Sequence, residues 1–448
     1  MRASPLPNGA TGWRCAVCGA RRSIDDPAPW RCPNATADDR RHVMLPEQPI
    51  VPIEPAAERD PNPFREFDHR CAWSAFAAAH GLTDGDRGAL VDRIDHGLAQ
   101  IGLGGIETTP FGRDDTLSEQ LGFVAPGGVW VKDETGAVAG SQKIRHLASI
   151  MLHLLAAEAA GLRRSSEREP LAIASCGNAA VAAATLAAAV SWPIEVFVPT
   201  WMDPAFGAQL RELGAVVHRC PRLDGDPPGD PAMLRFREAV EGGAIPFTVQ
   251  GPENALCLDG GRTIGWEIAA ACVDAGEPLP DWAMVQVGGG AFAGSLAAGV
   301  AVAGGIGLHP VQTRGCAPLD RAWCGAASRL RGVTHVPREV AADWASVMTP
   351  WANPQSLADG LLDDETYDWI AVMNGQLATD PPGRPIVVTE EQVVEAHQMA
   401  TAGGYRVSPT GSAGLAGALA TQERLEPASR LLLVMSGVSR QPVGAPSR

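Results

Sequence analysis

VKDETGAVAGSQKIRHL, residues 131–147, joins a predicted strand to a predicted helix and carries four basic residues around one Gly-Ser step. Lys143 and Arg145 follow that step directly, so both fall in the first turn of the helix. The helix dipole is positive at this end and disfavours cations there. The stretch therefore needs a feature that compensates the two charges, and this need is the first indication of a functional site.

Outward from this stretch, short apolar strands alternate with helices along most of the chain. Residues 141–161 have apolar side chains at helical spacing and end in a glycine, whereas residues 171–175 form a short apolar strand. A central strand is predicted at 281–289 and a final strand at 430–437. Because strands that alternate with helices form parallel βαβ units, we predict an α/β fold with parallel sheets flanked by helices.

The composition is that of a globular protein of two or three domains, with 448 residues and a formal net charge of −15. An acidic chain without a Lys/Arg block is not expected to bind nucleic acid. Ten cysteines spread over this length do not form a disulfide framework, which favours the cytoplasm. The uncharged stretch 282–313 is broken by glycines, so we interpret it as strand, loop, helix and strand rather than as a membrane span.

Residues 1–60 differ in composition from the rest and are predicted to form a small separate extension. Cys15 and Cys18 form a CxxC pair, and Cys32 and His42 follow at a spacing that suits a structural zinc site. Ala35 stands where a second CxxC pair would have its cysteine. The extension therefore holds either a Cys₃His zinc ion or the remnant of a ribbon without metal.

Four short motifs lie where predicted strands end: GSQK at 140–143, SCGN at 175–178, GGGAFAGS at 288–295 and SG at 436–437. Ligands of parallel α/β proteins bind at this edge of the sheet. Glycines allow a close approach to an anion, and a helix N-terminus offers free N–H groups. GGGAFAGS is therefore a candidate phosphate cup. The alternative is a tight turn from strand to helix.

With these motifs in this order, residues 100–440 resemble the fold type II enzymes that use pyridoxal 5′-phosphate (PLP), and among them threonine synthase most closely. The stretch from Lys132 to Arg145 is similar to the family's lysine motif. DGGRTIGWE, at 259–267, is similar to the start of one of the family's helices. SGVSR, at 436–440, is similar to the glycine-containing motif that lies late in the family's sequences. The resemblance implies a larger PLP-binding domain from 61–170 and 251–448, and a smaller α/β domain from 171–250.

The resemblance also implies a role for each matched residue. Lys143 would form the Schiff base with PLP, and Ser436 would face the pyridine nitrogen. Asn178 would contact the ring oxygen of PLP, and the PLP phosphate would be bound by Gly288, Gly289, Gly290 and Ala291. The substrate carboxylate would be bound by Ser175, Cys176 and Gly177. Further groups of the substrate, including a phosphate, would be bound by Lys132, Ser141 and Arg145.

By this resemblance the expected activity is β/γ-elimination or replacement on a small amino acid, with O-phosphohomoserine conversion to threonine as the first candidate. The family's Asn-Pro-Thr is replaced by Ala-Val-Ala at 137–139, which removes polar groups that would bind a phosphorylated substrate. Threonine/serine dehydratase or a related ammonia-lyase is therefore the close alternative. A non-catalytic PLP-binding or zinc-carrying regulatory protein is an alternative of another class. A homodimer is expected.

Overall fold

The computed structural model describes residue 6 and residues 8–227 and 229–439. Arg440, the last residue of the SGVSR motif, lies outside the described residues. Within the described part the strands are β1 Gly12–Cys15, β2 Arg21–Ser23, β3 Met44–Glu47, β4 Phe111–Asp114, β5 Gly128–Asp133, β6 Leu171–Ala174, β7 Ile194–Pro199, β8 Val216–Cys220, β9 Ile245–Pro246, β10 Trp282–Gln286, β11 Gly307–Thr313, β12 Ile386–Val388 and β13 Arg430–Met435.

Sixteen α-helices connect and cover these strands within the same part of the chain. They are α1 Pro63–Glu66, α2 Ala72–Ala79, α3 Asp84–Gln100, α4 Asp115–Gln120, α5 Lys143–Ala159, α6 Asn178–Ala189, α7 Pro204–Glu212, α8 Pro231–Glu241, α9 Leu256–Ala275, α10 Ala291–Val300, α11 Pro318–Ala326, α12 Arg338–Ala342, α13 Trp344–Val347, α14 Trp369–Leu377, α15 Glu390–Ala402 and α16 Ala413–Thr421.

The larger sheet has six strands in the order β12-β11-β10-β13-β5-β4. All neighbouring pairs are parallel except β4 and β5, which are antiparallel. The central strands β10 and β13 consist almost wholly of buried apolar residues, as expected for a sheet covered by helices on both faces. This order places the carboxyl ends of β10, β13 and β5 side by side.

A second, smaller sheet has four parallel strands in the order β8-β7-β6-β9. Its strands lie between Leu171 and Pro246, inside the range predicted for the smaller domain. The α/β class with parallel sheets flanked by helices is therefore confirmed. The exact domain limits stay a prediction.

Helices α9 and α10 approach each other backbone to backbone, which brings the start of α10 close to the core. A Cβ on Gly265 would lie 2.5 Å from the carbonyl oxygen of Leu296, and one on Gly299 would lie 2.4 Å from that of Arg262. Only glycine permits such a contact. The stretch 282–313 forms β10, α10 and β11 as predicted, and among the described residues no helix is both long and apolar enough to cross a membrane.

The N-terminal extension, residues 1–60, forms a three-stranded antiparallel sheet in the order β2-β1-β3. Trp13 and Met44 are buried beneath it, and the described part of the extension packs into the same core as α2 and α5. The extension therefore packs against the rest of the fold, although its composition suggested a separate unit.

Candidate active site

Residues 134–142, which lead from β5 to Lys143 and are called the lysine loop, meet residues 436–439 after β13, called the Ser436 loop, at the carboxyl ends of the two strands. The backbone N–H of Gln142 donates to the Ser436 hydroxyl at 3.2 Å, and the Ser436 hydroxyl donates to the side-chain oxygen of Gln142. The N–H of Val438 donates to the carbonyl of Gly140 at 3.0 Å. A Cβ on Gly140 would lie 2.5 Å from the Val438 side chain, and the backbone there has a φ of +72°, so this position requires glycine.

Lys143 is the first residue of α5 and is half-buried beside these loops. Burial lowers the pKa of its ammonium group, and the nearby carboxylates of Asp363 and Asp359 oppose this shift. A lowered pKa increases the fraction of neutral amine, which is the nucleophilic and basic form. The sequence contains one other lysine, Lys132, which is fully buried in an ion pair, so Lys143 is the candidate for a reactive lysine amine.

The SCGN loop joins β6 to α6, and its residues Ser175–Asn178 are half-buried. The Gly177 N–H donates to the Ser175 hydroxyl at 3.2 Å, which closes the loop on itself. Asn178 begins α6, and its side-chain nitrogen lies 3.1 Å from where a Cβ of Gly437 would be. The structure therefore brings Asn178 to the Ser436 loop.

The glycine loop, residues 288–291, follows β10 and leads into α10. We call these four residues the phosphate cup. Gly290 has a φ of +97°, a conformation that favours glycine. The carboxylate of Asp363 lies against the cup: its Oδ2 is 2.6 Å from where a Cβ of Gly288 would be and 3.4 Å from where a Cβ of Gly289 would be. A carboxylate of the chain itself therefore already lies beside the cup.

Lys132 and Arg145 do not lie free at the site, in contrast to the expectation that they bind substrate. Arg145 donates to Glu134 (Nε···Oε2 2.8 Å) and also contacts Glu267, while Lys132 Nζ lies 2.5 Å from Glu267 Oε2. Lys132 and Glu134 are 0% exposed and Arg145 is 1% exposed. Their charges are directed to a buried ion-pair network, because two carboxylates neutralise two cations inside the core, and a substrate-binding role for them stays a prediction.

This network also explains one of the two cations in the first turn of α5, Arg145. Burial opposes the ionisation of Glu134, but Arg145 and Lys132 outweigh it and lower the pKa of the carboxyl. The charge on Arg145 is thus compensated by protein carboxylates rather than by an anionic substrate, which the resemblance had suggested. Lys143 remains the cation of this turn that faces the loops.

Ser141 keeps a polar group available at the lysine loop. Its side chain is fully buried, and its hydroxyl has no hydrogen-bond partner among the described residues. Buried hydroxyls are normally paired, so an unpaired one beside Lys143 fits a bound ligand that supplies the partner. This placement agrees with a binding role for Ser141, which stays a prediction.

Cys15, Cys18, Cys32 and His42 come together in the N-terminal extension, with all four ligand atoms within 4.8 Å of one another. Cys15 Sγ lies 3.3 Å from His42 Nδ1, and Cys18 Sγ lies 3.5 Å from Cys32 Sγ. Asp39 contacts the other ring nitrogen of His42 at 3.0 Å, as carboxylates do behind metal-bound histidines. Three sulfurs and one imidazole in this arrangement suit zinc.

Sequence reasoning missed the acidic residues near Lys143, above all Asp359 and Asp363. Both come from the long connection between β11 and β12, whose sequence has no strong periodicity. The one available signal was the acidic run LADGLLDDETYD at 357–368. Glu134 lies in the stretch 131–147 and Glu267 in DGGRTIGWE at 259–267, but no sequence pattern indicates that they pair with Lys132 and Arg145.

The site thus combines Lys143, the Ser436 hydroxyl at the end of β13 and a glycine loop that leads into a helix, all at the carboxyl edge of a parallel sheet. These groups fit a phosphorylated aldehyde cofactor: Lys143 would hold the aldehyde carbon, the phosphate cup the phosphate, and Asn178 and Ser436 the ring. The class that fold and site define is a PLP-dependent enzyme of fold type II.

The family model for pyridoxal-phosphate dependent enzymes matches residues 103–437, and the chain belongs to this family. No curated protein sequence matches the chain significantly. The processed form of threonine deaminase isoform 2 from Solanum lycopersicum is similar in structure (17% identity, TM-score 0.58), over 87% of this chain and 93% of that one. Maize serine racemase is similar as well (19% identity, TM-score 0.56), over 78% of this chain and 94% of that one. Diaminopropionate ammonia lyase from Escherichia coli has 15% identity and a TM-score of 0.57, over 78% of this chain and 88% of that one.

Proposed function

We propose that this PLP-dependent enzyme is an ammonia-lyase of the threonine/serine dehydratase type, which removes a β-leaving group and ammonia from a small amino acid. The observation that carries this choice is the engagement of Lys132 and Arg145 with Glu134 and Glu267. These were the cations expected to hold a substrate phosphate. A small substrate without a phosphate needs no such pair.

Lys143 and the loops around it provide the chemistry of this proposal. PLP, when bound, withdraws electrons from the substrate α-carbon. Lys143 Nζ would hold the aldehyde carbon of the cofactor, and as a free amine it would take the substrate α-proton. The lowered pKa of Lys143 supports this role, because the neutral amine is the form that accepts a proton. The Ser175–Gly177 loop offers the Cys176 N–H and the Ser175 hydroxyl to the substrate carboxylate, since the other two N–H groups already have partners.

Ser436 supports elimination rather than transamination if it faces the pyridine nitrogen. Its hydroxyl is held in place by Gln142 on both its donor and acceptor sides. A neutral hydroxyl does not hold the ring nitrogen protonated as a carboxylate would, so electron withdrawal is weaker. A reaction in which a leaving group departs promptly suits such a site.

Threonine synthase activity on O-phosphohomoserine is the second candidate, supported by the order of motifs from Lys132 to Ser436. Without the charges of Lys132 and Arg145, binding of a phosphorylated substrate loses about 1.5–3 kcal/mol per missing charged hydrogen bond, roughly ten- to a hundredfold each. We therefore expect this activity to be weak. The homodimer and the cytoplasmic location remain predictions from the sequence.

The test is a comparison of products formed by the purified PLP-loaded enzyme. Ammonia and 2-oxo acid are measured from L-threonine, L-serine and diaminopropionate, and threonine and phosphate are measured from O-phosphohomoserine. We expect oxo acid and ammonia from at least one unphosphorylated amino acid. Efficient threonine synthesis without oxo acid would reject the dehydratase proposal, and no turnover of any amino acid by PLP-loaded protein would favour a non-catalytic role. Lys143→Ala protein is the control for each substrate.

We also propose that Cys15, Cys18, Cys32 and His42 hold one structural zinc ion. The convergence of their four ligand atoms supports this proposal, as does the Asp39 carboxylate behind His42. The ion would tie β1 to the loops that follow β2, in an extension whose sheet has only three short strands.

A further inference from the structure

Residues 359–368, DGLLDDETYD, carry five carboxylates and lie between the phosphate cup and the N-terminal extension. We call this stretch the acidic segment. Its backbone is fixed at both ends: the Asp368 N–H donates to the Gly289 carbonyl at 2.8 Å, and the Gly360 N–H donates to Thr410 at 3.0 Å. The segment therefore has a defined position rather than that of a loose loop.

The inner side of the acidic segment contacts the cup through Asp363. The carboxylate Oδ2 lies 3.4 Å from where a Cβ of Gly289 would be, and it lies against Gly288 at 2.6 Å, a distance that leaves no room for a Cβ. Gly289 is one of the residues assigned to the cofactor phosphate. A phosphate and a carboxylate are both anions, and two anions side by side repel each other strongly in a buried site. Asp363 therefore stands where it competes with the phosphate.

The outer side of the segment is held by Arg41 of the N-terminal extension. Arg41 Nε lies 2.6 Å from Glu365 Oε2, a second bond joins the other oxygen, and the Glu365 side chain is only 4% exposed. The same guanidinium stacks on Trp344 at 3.9 Å from the ring centroid. Paired, two-bond contacts of this kind fix the geometry of a carboxylate more firmly than a single bond does.

The Arg41 contact also leads back to the Cys/His cluster. Arg41 directly precedes His42, and Asp39 accepts from the Trp344 indole at 3.0 Å while its other oxygen contacts His42. A chain of contacts thus joins the cluster through Asp39, Trp344 and Arg41 to Glu365. From Glu365 the chain continues through the backbone, since Asp363 is only two residues away along the sequence.

We propose that the acidic segment is an internal competitor of the cofactor phosphate, and that the N-terminal extension holds it in the competing position through Arg41 and Glu365. The extension then controls cofactor affinity without contacting the cofactor. Release of the segment, by loss of the Arg41 contact, leaves the cup free for the phosphate. The proposal rests on PLP binding, which the family shares, and is independent of which amino acid is converted.

The experiment measures the dissociation constant of PLP for full-length protein stripped of cofactor, by absorbance titration without substrate. The variants are Asp363→Asn, Arg41→Gln and the double variant. Arg40→Gln is the matched control, because Arg40 lies on the same extension as Arg41 but pairs with Glu241 of α8 and not with the acidic segment. Metal content and thermal unfolding are recorded for each protein. Asp363→Asn keeps the shape of the side chain, so its fold is expected to be preserved.

We expect Asp363→Asn to tighten PLP binding about tenfold and Arg41→Gln about three- to tenfold, since each weakens the same like-charge contact. The double variant should bind PLP within about twofold of Asp363→Asn, because both changes act on one contact. Unchanged or weaker binding by Asp363→Asn would overturn the competition. Equal affinities of Arg41→Gln and Arg40→Gln, or fully multiplicative effects in the double variant, would overturn the coupling through Arg41.

Discussion

The guanidinium of Arg145 lies side-on against the carboxylate of Glu134, with Nε···Oε2 at 2.8 Å and Nη2···Oε1 at 3.0 Å, and both side chains are buried. Arg145 is in the first turn of α5, two residues after Lys143. The ion pair therefore anchors the start of this helix, and with it the position of Lys143, from inside the core.

Substitution Arg145→Met is expected to destabilise the fold, because it leaves Glu134 and Glu267 as buried carboxylates short of a partner. Breaking a buried pair in this way costs about 3–5 kcal/mol. Urea unfolding at neutral pH measures the effect. The control is Arg163→Met, which removes a more exposed pair with Glu169 and should cost less than about 1 kcal/mol. If Arg145→Met keeps full stability but loses substrate affinity, Arg145 binds the substrate after all.

Lys143→Ala is expected to abolish covalent PLP binding and turnover while the fold is kept. Because the sequence contains two lysines and Lys132 is buried in an ion pair, reduction with borohydride should fix the cofactor to a single peptide that contains Lys143. Peptide mass mapping of the reduced holoenzyme checks this. A modified peptide that carries Lys132, or a Lys143→Ala protein that stays yellow and active, would contradict the assignment.

Ser436→Asp is expected to shift the reaction toward transamination, since a carboxylate at this position would favour a protonated pyridine nitrogen. Ser436→Ala is the companion variant, which removes the hydroxyl and its bonds to Gln142 without adding charge. The measurement is the ratio of 2-oxo acid formed by elimination to aminated cofactor. A ratio that is the same in wild type and Ser436→Asp would mean that Ser436 does not face the ring.

Protein purified without chelator is expected to contain one zinc ion per chain, and Cys15→Ser/Cys18→Ser protein none. Loss of the ion should lower the melting temperature, because the metal cross-links the three-stranded sheet and its loops. Metal analysis and thermal unfolding test both points. Cys324→Ser is the control, since Cys324 is exposed and outside the cluster. Zinc that persists in the double variant would reject this site.

Stability is expected to depend on pH through Asp368, because burial raises the pKa of this carboxyl to about 7. Its Oδ2 accepts from Gly251, and its buried Oδ1 has no partner among the described residues, which suits a bound proton. An unfolded Asp has a pKa of about 3.9. The folded state thus binds the proton more tightly, and the contribution of Asp368 is full below about pH 4 and is lost as pH rises to about 7.

Asp368→Asn protein, which keeps the shape without the charge, should not show this loss. The difference in unfolding free energy between wild type and variant should change by up to about 4 kcal/mol between pH 4 and 7, and stay constant above that range. Urea unfolding at a series of pH values gives the difference directly, and other titrating groups cancel. A difference that does not vary with pH would show that Asp368 is ionised in the folded protein.

The sequence by itself determined the α/β class, the order of strands and helices, and the motifs at the strand ends. Hydrophobic periodicity is a local property, so β5, α5, β6 and α6 could be placed within a few residues from their own side chains. The convergence of Cys15, Cys18, Cys32 and His42 was also predictable, because metal ligands follow characteristic spacings. Lys143 could likewise be singled out from its place in a local motif, where a Gly-Ser step leads into a helix.

Only the tertiary structure decided what each charged residue contacts. Lys132 and Arg145 were expected to face a substrate, yet Glu267, more than 100 residues away along the chain, turns them into part of the core. Asp363 reaches the phosphate cup, and Arg41 reaches Glu365, through equally long-range contacts. Long-range pairing depends on how sheets and helices pack, and a charge in a sequence does not show whether its partner will be a ligand, water or another side chain.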